Sequence, residues 1–210
     1  MANYLKISYI NSKTMKTIKS ILILSLISLS IYGFSQSNEL PKSWFKSGSK
    51  PESYKAGTDS IIFQKGHKSI GIESVDKNIE GFTTVMQVCN AKNYLGTRIK
   101  MTGYIKSENV TDWAGMWLRI DSKTPGESLG FDNMQDRPVT GTSGWTKCEI
   151  VMDVPVESVT LNFGALISGT GKIWFDNVSF EILDNTTPKI SSDPITLPVP
   201  EKPFNLDFEE

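Results

Sequence analysis

Between Trp113 and Asp121 (WAGMWLRID) the residues alternate in type with a period of two. Ala114, Met116, Leu118 and Ile120 make one apolar face, the kind a strand turns toward a core. Trp113, Gly115, Trp117, Arg119 and Asp121 make the other. Large aromatics are depleted on bare surfaces and enriched where something binds. An indole can stack on the apolar C–H face of a sugar ring. Arg119, Asp121, Asp132, Asn133, Asp136 and Arg137 carry donors and acceptors that suit its hydroxyls. Two readings fit this pattern equally. In one, these eight residues form a ligand site, with Trp117 as its platform. In the other, Trp113 plugs the end of a sandwich and Arg119 pairs with Asp132 or Asp136 to pin a loop.

Catalytic patterns are weaker. Gly126-Glu127-Ser128-Leu129-Gly130 has the spacing of a nucleophile elbow, which needs a strand before it, a helix after it and a histidine downstream. The following residues carry no helical period, and the single histidine, His67, lies upstream. Gly169-Thr170-Gly171-Lys172 lacks the first glycine of a phosphate loop, because Leu166 stands in its place. Glu127, Asp132, Asp136 and Glu149 are candidates for the two carboxylates of a glycosidase, but acids are common and sequence gives no separation between them. The expectation is a chain that binds without catalysing, with glycoside hydrolysis the weaker alternative.

The elements that must position these residues are strands. The apolar–polar alternation recurs in Phe82–Cys89, Arg98–Lys106, Ala114–Asp121, Leu129–Met134, Thr146–Val154, Val159–Leu166 and Ile173–Ile182. Ser60–Phe63 and Ser69–Ile72 flank a turn at Lys65–Lys68. The gaps carry Gly, Asp, Asn and Pro, so the expectation is an all-β, two-sheet antiparallel sandwich. The chain has 210 residues, 39% hydrophobic, with a net charge of −1, which excludes the composition of a disordered or collagen-like chain. Cys148 shares a face with Ile150 and Met152. Whether it pairs with Cys89 stays open, since strand parity does not place the two together.

The ends differ from the middle. Met15–Lys19 is basic, Ile21–Ile31 is apolar, and small residues precede Gln36, the pattern of a secretory signal peptide over residues 1–35, with a further upstream extension before Met15. That stretch holds four lysines and no acid. Without it, 18 basic residues face 23 acids, a net charge of −5. An acidic, secreted or periplasmic chain has no footprint for nucleic acid and no membrane span once the signal is cut. Residues 184–204 hold five of the ten prolines and read as a linker. Asn205–Glu209 (NLDFE) reads as a short strand with Leu206 and Phe208 on one face.

Lys65-Gly66-His67-Lys68-Ser69 with Ile70 and Ile72, Thr102–Lys106 around Tyr104, and Ile173–Phe180 (IWFDNVSF) together resemble the jelly-roll carbohydrate-binding modules of galactose-binding-like fold. The resemblance covers residues 44–183. It implies a jelly-roll sandwich over residues 36–183 and a carbohydrate or glycan ligand. Such modules usually begin with an Asn-x-Asp-Phe-Glu-like strand; here that strand stands at 205–210. We therefore expect a circular permutation, in which the linker carries the last strand back to the slot of the first. The resemblance further implies a structural calcium, with Asp176, Asp207 and Glu209 supplying carboxylates. The alternative is a structural or protein-interaction domain of the cell envelope, its outward tryptophans meeting a partner protein.

Overall fold

The computed structural model describes residues 37–184 and 199–210. The proposed signal segment and residues 185–198 of the proposed linker lie outside the described residues. Among the described residues there are nine strands and a single 3-10 turn, Pro51–Ser53. The strands are β1 (Phe45–Gly48), β2 (Tyr54–Asp59), β3 (Ser69–Ser74), β4 (Phe82–Asn90), β5 (Thr97–Ser122), β6 (Ser128–Asp132), β7 (Val139–Val154), β8 (Ser158–Ser168) and β9 (Lys172–Asp184). All pairings are antiparallel. Among the described residues no helix is long and apolar enough to cross a membrane.

β5 belongs to both layers. Its first half pairs with β7 and β9 in the order β2-β3-β9-β5-β7. Its second half pairs with β8 and β6 in the order β1-β4-β8-β5-β6. Sequence alternation predicts two strands here, 98–106 and 114–121. The structure joins them through a bend, with register shifts after Ile105, Ser107 and Val110 and Asn109 at φ 53°. Such irregularities turn a strand without ending it.

The core lies between the layers. Ile99, Met101 and Ile105 face it from the first half of β5, and Ala114, Met116, Leu118 and Ile120 from the second. An aromatic cluster joins the layers. Trp44 stands edge-on to Phe163 and Phe208, with ring centroids 5.6 and 5.0 Å away, and Phe175 lies 5.6 Å from Phe208. Cys89 and Cys148 are both buried as free thiols, and burial pushes them up to about 12 and about 11.

Two sequence expectations need correction. Ser60–Phe63 is not a strand. The Asp59 carboxylate accepts the N–H groups of Ile61 and Ile62 (2.9 and 3.0 Å), a side-chain turn that breaks the ladder. The hairpin is instead β2 with β3, Tyr54 opposite Ser74 through Asp59 opposite Ser69. The strand expected at 205–210 is a turn as well. Phe208 N–H donates to the Asn205 carbonyl, Glu210 N–H donates to Asn205 Oδ1, and Asn205 Nδ2 donates to the Glu210 carbonyl. Donors used locally cannot form a ladder. The segment nevertheless lies on the sandwich. Gln87 exchanges two 2.8 Å bonds with the Phe204 backbone, Trp44 Nε1 donates to the Asn205 carbonyl, and Phe208 is fully buried.

Candidate functional site

The outward face of the β1-β4-β8-β5-β6 layer carries the groove. Antiparallel register sets its rows. Phe45, Met86, Gly164 and Trp117 lie side by side across β1, β4, β8 and β5. Next to them run Ser47, Thr84, Leu166 and Gly115, then Phe82, Ser168 and Trp113. On the other side Arg119 stands between Asn162 and Phe131. The groove encloses about 750 Å³, the range of small-ligand sites.

Trp117 makes its floor. Its indole N–H donates to Thr84 Oγ1 at 2.7 Å, and that hydroxyl donates to the Ala165 carbonyl at 2.8 Å. Trp117 is on β5 and Thr84 on β4, so the ring crosses the whole width of β8. Gly164 lies directly opposite Trp117 on β8, where a Cβ would run into the Val85–Met86 backbone of β4. Alternation placed Trp117 outward, as a free platform. The structure keeps it on that face but lays it down, leaving only 7% exposed. The standing aromatics are Phe45, Phe82 and Phe131, at 44%, 37% and 58% exposed. Sequence reasoning passed over these three, along with Thr84, Met86 and Leu166. The alternation of Phe82, Thr84 and Met86 within β4 was the signal that could have found them.

One end is closed by the loop after β6. Gly115 permits this, since a Cβ there would lie 3.0 Å from the Asn133 carbonyl and 3.1 Å from Met134 Cβ. At the other end Ser168 donates its hydroxyl to Asp112 at 2.6 Å.

The eight nominated residues divide. Trp113, Trp117, Arg119 and Asn133 line the groove. Asp121 lies behind it, holding Arg119 through two 2.8 Å bonds. Arg119 therefore pairs neither with Asp132 nor with Asp136. Those two are held by Arg137, at 2.6 and 2.7 Å, and Arg137 also donates to the Glu149 carbonyl. Asp132, Asp136 and Arg137 line a separate shallow depression beside Val151 and Met152. Of the acids weighed for glycoside cleavage, Asp132 and Asp136 share the Arg137 guanidinium. Glu127 accepts from Ser122 and Glu149 pairs with Lys147.

Asp176 and Glu209 meet at the opposite corner. Asp176 is fully buried. Its Oδ2 accepts the N–H groups of Gln64 and Lys65 (2.6 and 3.0 Å) and its Oδ1 that of Asn177 (2.6 Å). Glu209 accepts the N–H groups of His67 and Lys68, and Lys68 Nζ donates to the Glu209 carbonyl. Burial pushes the Asp176 carboxyl above its ordinary value; the three N–H bonds act against this, and the nearby Glu209 charge adds to it. Asp207 is exposed beside the pair. Among the described residues no three His, Cys, Asp or Glu side chains gather into a metal-holding group.

No family model matches the chain. It is 38% identical over 172 residues to an uncharacterised HTH-type transcriptional regulator, YbfP, of Bacillus subtilis, a match covering 80% of this chain and 57% of that one. The chain thus spans little more than half the length of that relative. Among solved structures it superposes on a xylan-binding domain of carbohydrate-binding module family 22 with a TM-score of 0.51 at 12% identity, over 74% of this chain and 96% of that one. A family 22 xylan-binding domain from Paenibacillus barcinonensis gives a TM-score of 0.50 at 13% identity, over 71% and 93%. The enzymatically active domain of a bacteriophage CBA120 tailspike gives 0.52 at 12% identity, over 68% and 20%. The fold is the jelly-roll sandwich of carbohydrate-binding modules.

Proposed function

We propose that this chain is a non-catalytic binding module that takes a carbohydrate chain in the groove over Trp117. The observation that carries this reading is the groove itself. An indole lies flat across three strands and standing phenylalanines rim it, on a fold that the xylan-binding domains share. Aromatic faces suit sugar C–H faces, and Asn133, Ser168 and Arg119 suit the hydroxyls. The absence of any carboxylate among the described groove-lining residues favours binding over glycoside cleavage.

The test is fluorescence titration with neutral hexasaccharides of glucose, galactose, mannose and xylose. Binding by at least one, weakened about tenfold or more in Phe131→Ala, supports the reading. No response to any sugar, with a stable protein partner recovered instead, favours the envelope interaction domain.

Export belongs to the same proposal. N-terminal sequencing of the native protein should find Gln36 first, and an uncut N-terminus would remove it. Calcium at the Asp176 corner fits the donors only in part. Both Asp176 oxygens and one Glu209 oxygen already accept backbone N–H bonds, so Asp207 and carbonyls would have to complete the six to eight oxygens calcium needs. A melting temperature unchanged between calcium and chelator would remove the ion.

A further inference from the structure

We propose that the groove is a site for uncharged glycan chains, and that Asp121 sets this selectivity by neutralising Arg119. The inference rests on the glycan reading above and narrows it. Arg119 is the one charged side chain among the described residues lining the groove. A guanidinium in an aromatic groove would ordinarily attract a carboxylate in a planar, two-pronged pair. Here that geometry is already filled. Arg119 Nε and NH2 each lie 2.8 Å from an Asp121 oxygen. Asp121 is fixed in turn by Asn162 Nδ2 at 3.0 Å, and Asn162 by Thr160 Oγ1 at 3.2 Å. All four residues sit on adjacent β5 and β8 positions, with Arg119 opposite Asn162 and Asp121 opposite Thr160, so the ladder holds the arrangement.

The rest of the groove reinforces this. Its walls are Phe45, Phe82, Phe131 and Trp113, which carry no positive charge to pair with a carboxylate. At the far end Ser168 turns its hydroxyl to Asp112, placing a second negative charge behind the wall. An acidic sugar entering the groove would lose its hydration without gaining an unpaired cation, a cost a neutral sugar does not bear. Asp121 is thus a positioning residue. It occupies Nε and NH2 of the guanidinium, so Arg119 meets the groove as one half of an ion pair rather than as a free cation.

The experiment measures affinity for each neutral hexasaccharide of the panel against a uronic-acid-bearing counterpart of the same length, at low and high salt, in wild type and Asp121→Asn. Asparagine keeps the shape and an acceptor for Asn162 but releases the charge on Arg119. Wild type should prefer the neutral member, with affinity nearly independent of salt. In Asp121→Asn the acidic-to-neutral affinity ratio should rise about tenfold or more and fall again with salt. In the double variant Asp121→Asn/Arg119→Gln that gain should vanish. Melting curves confirm that each variant is folded. A wild type that prefers the acidic member in a salt-sensitive way overturns the neutral assignment while leaving the groove a glycan site. A folded Asp121→Asn with an unchanged ratio overturns the role of Asp121. Silence of every glycan, neutral or acidic, in all three proteins removes the groove reading and this inference with it.

Discussion

The two halves of β5 present opposite surfaces to solvent. Over its first half the outward positions are Arg98, Lys100, Thr102, Tyr104 and Lys106, flanked by acids on the neighbouring strands. Arg98 meets Asp153 at 2.6 Å and Lys100 meets Glu181 at 2.6 Å, with Lys147 and Glu149 alongside. Over its second half the outward positions are Trp113, Gly115, Trp117, Arg119 and Asp121, between phenylalanines. One strand with one alternation therefore serves a solvated charge ladder in one layer and an aromatic groove in the other. The difference shows that outward parity alone does not mark a binding surface. What marks it is how the neighbouring strands fill the space beside each outward residue.

That comparison can be broken from below. Both faces rest on one aromatic core, and Phe208 sits in it fully buried. Phe208→Ala should cost about 3–5 kcal/mol in denaturant unfolding, with the ladder and the groove lost in a single transition. Two separate transitions would mean that the layers are independent. Thr84→Val is the next largest. It strands the Trp117 indole N–H without an acceptor, at a cost of about 1–3 kcal/mol, and should shift tryptophan emission. The same substitution at Thr102 on the ladder face should change stability by no more than about 0.5 kcal/mol.

How much of this was legible in the sequence follows from the same strand. Alternation identified both halves of β5 and their core faces, because period two depends only on the backbone. It did not show that they are one strand, since the bend at 107–113 breaks the period through bulges against β7. It turned Trp117 to the correct side but not to its posture, which is held by a threonine 33 residues away on another strand. The 132–137 loop reads either as part of the site or as a loop pinned by Arg119, and the structure pins it through Arg137 instead. Arg137 also reaches the Glu149 carbonyl on β7, a contact that local sequence does not encode.

Smaller effects sharpen the contrast. Lys100→Ala and Glu181→Ala should each leave sugar affinity unchanged and alter stability by no more than about 1 kcal/mol, whereas Phe82→Ala should weaken binding without a comparable loss of stability. Acid should act on the ladder and the far corner with opposite sign. Arg98 and Lys147 hold Asp153 and Glu149 below their ordinary values, so those pairs contribute stability above the unfolded carboxylate range and lose it as pH falls through the folded values. Asp176 is raised by burial, so its contribution is full below the unfolded value and is lost as pH rises through the folded one. Replacing Asp153 with Asn should flatten the acid limb of the stability profile. Carboxyl NMR should show Asp176 titrating above the ordinary aspartate value and Asp153 below it.

Phe208 also imposes a schedule. It completes a cluster begun by Trp44, and Asn205 binds that tryptophan from 161 positions away. A chain leaving the ribosome therefore displays Trp44, Phe163 and Phe175 for the whole time needed to make residues 176 to 208, whatever lies beyond. Until then the first aromatic laid down lacks its last neighbour. Such long-range closure slows folding and prolongs the life of sticky intermediates.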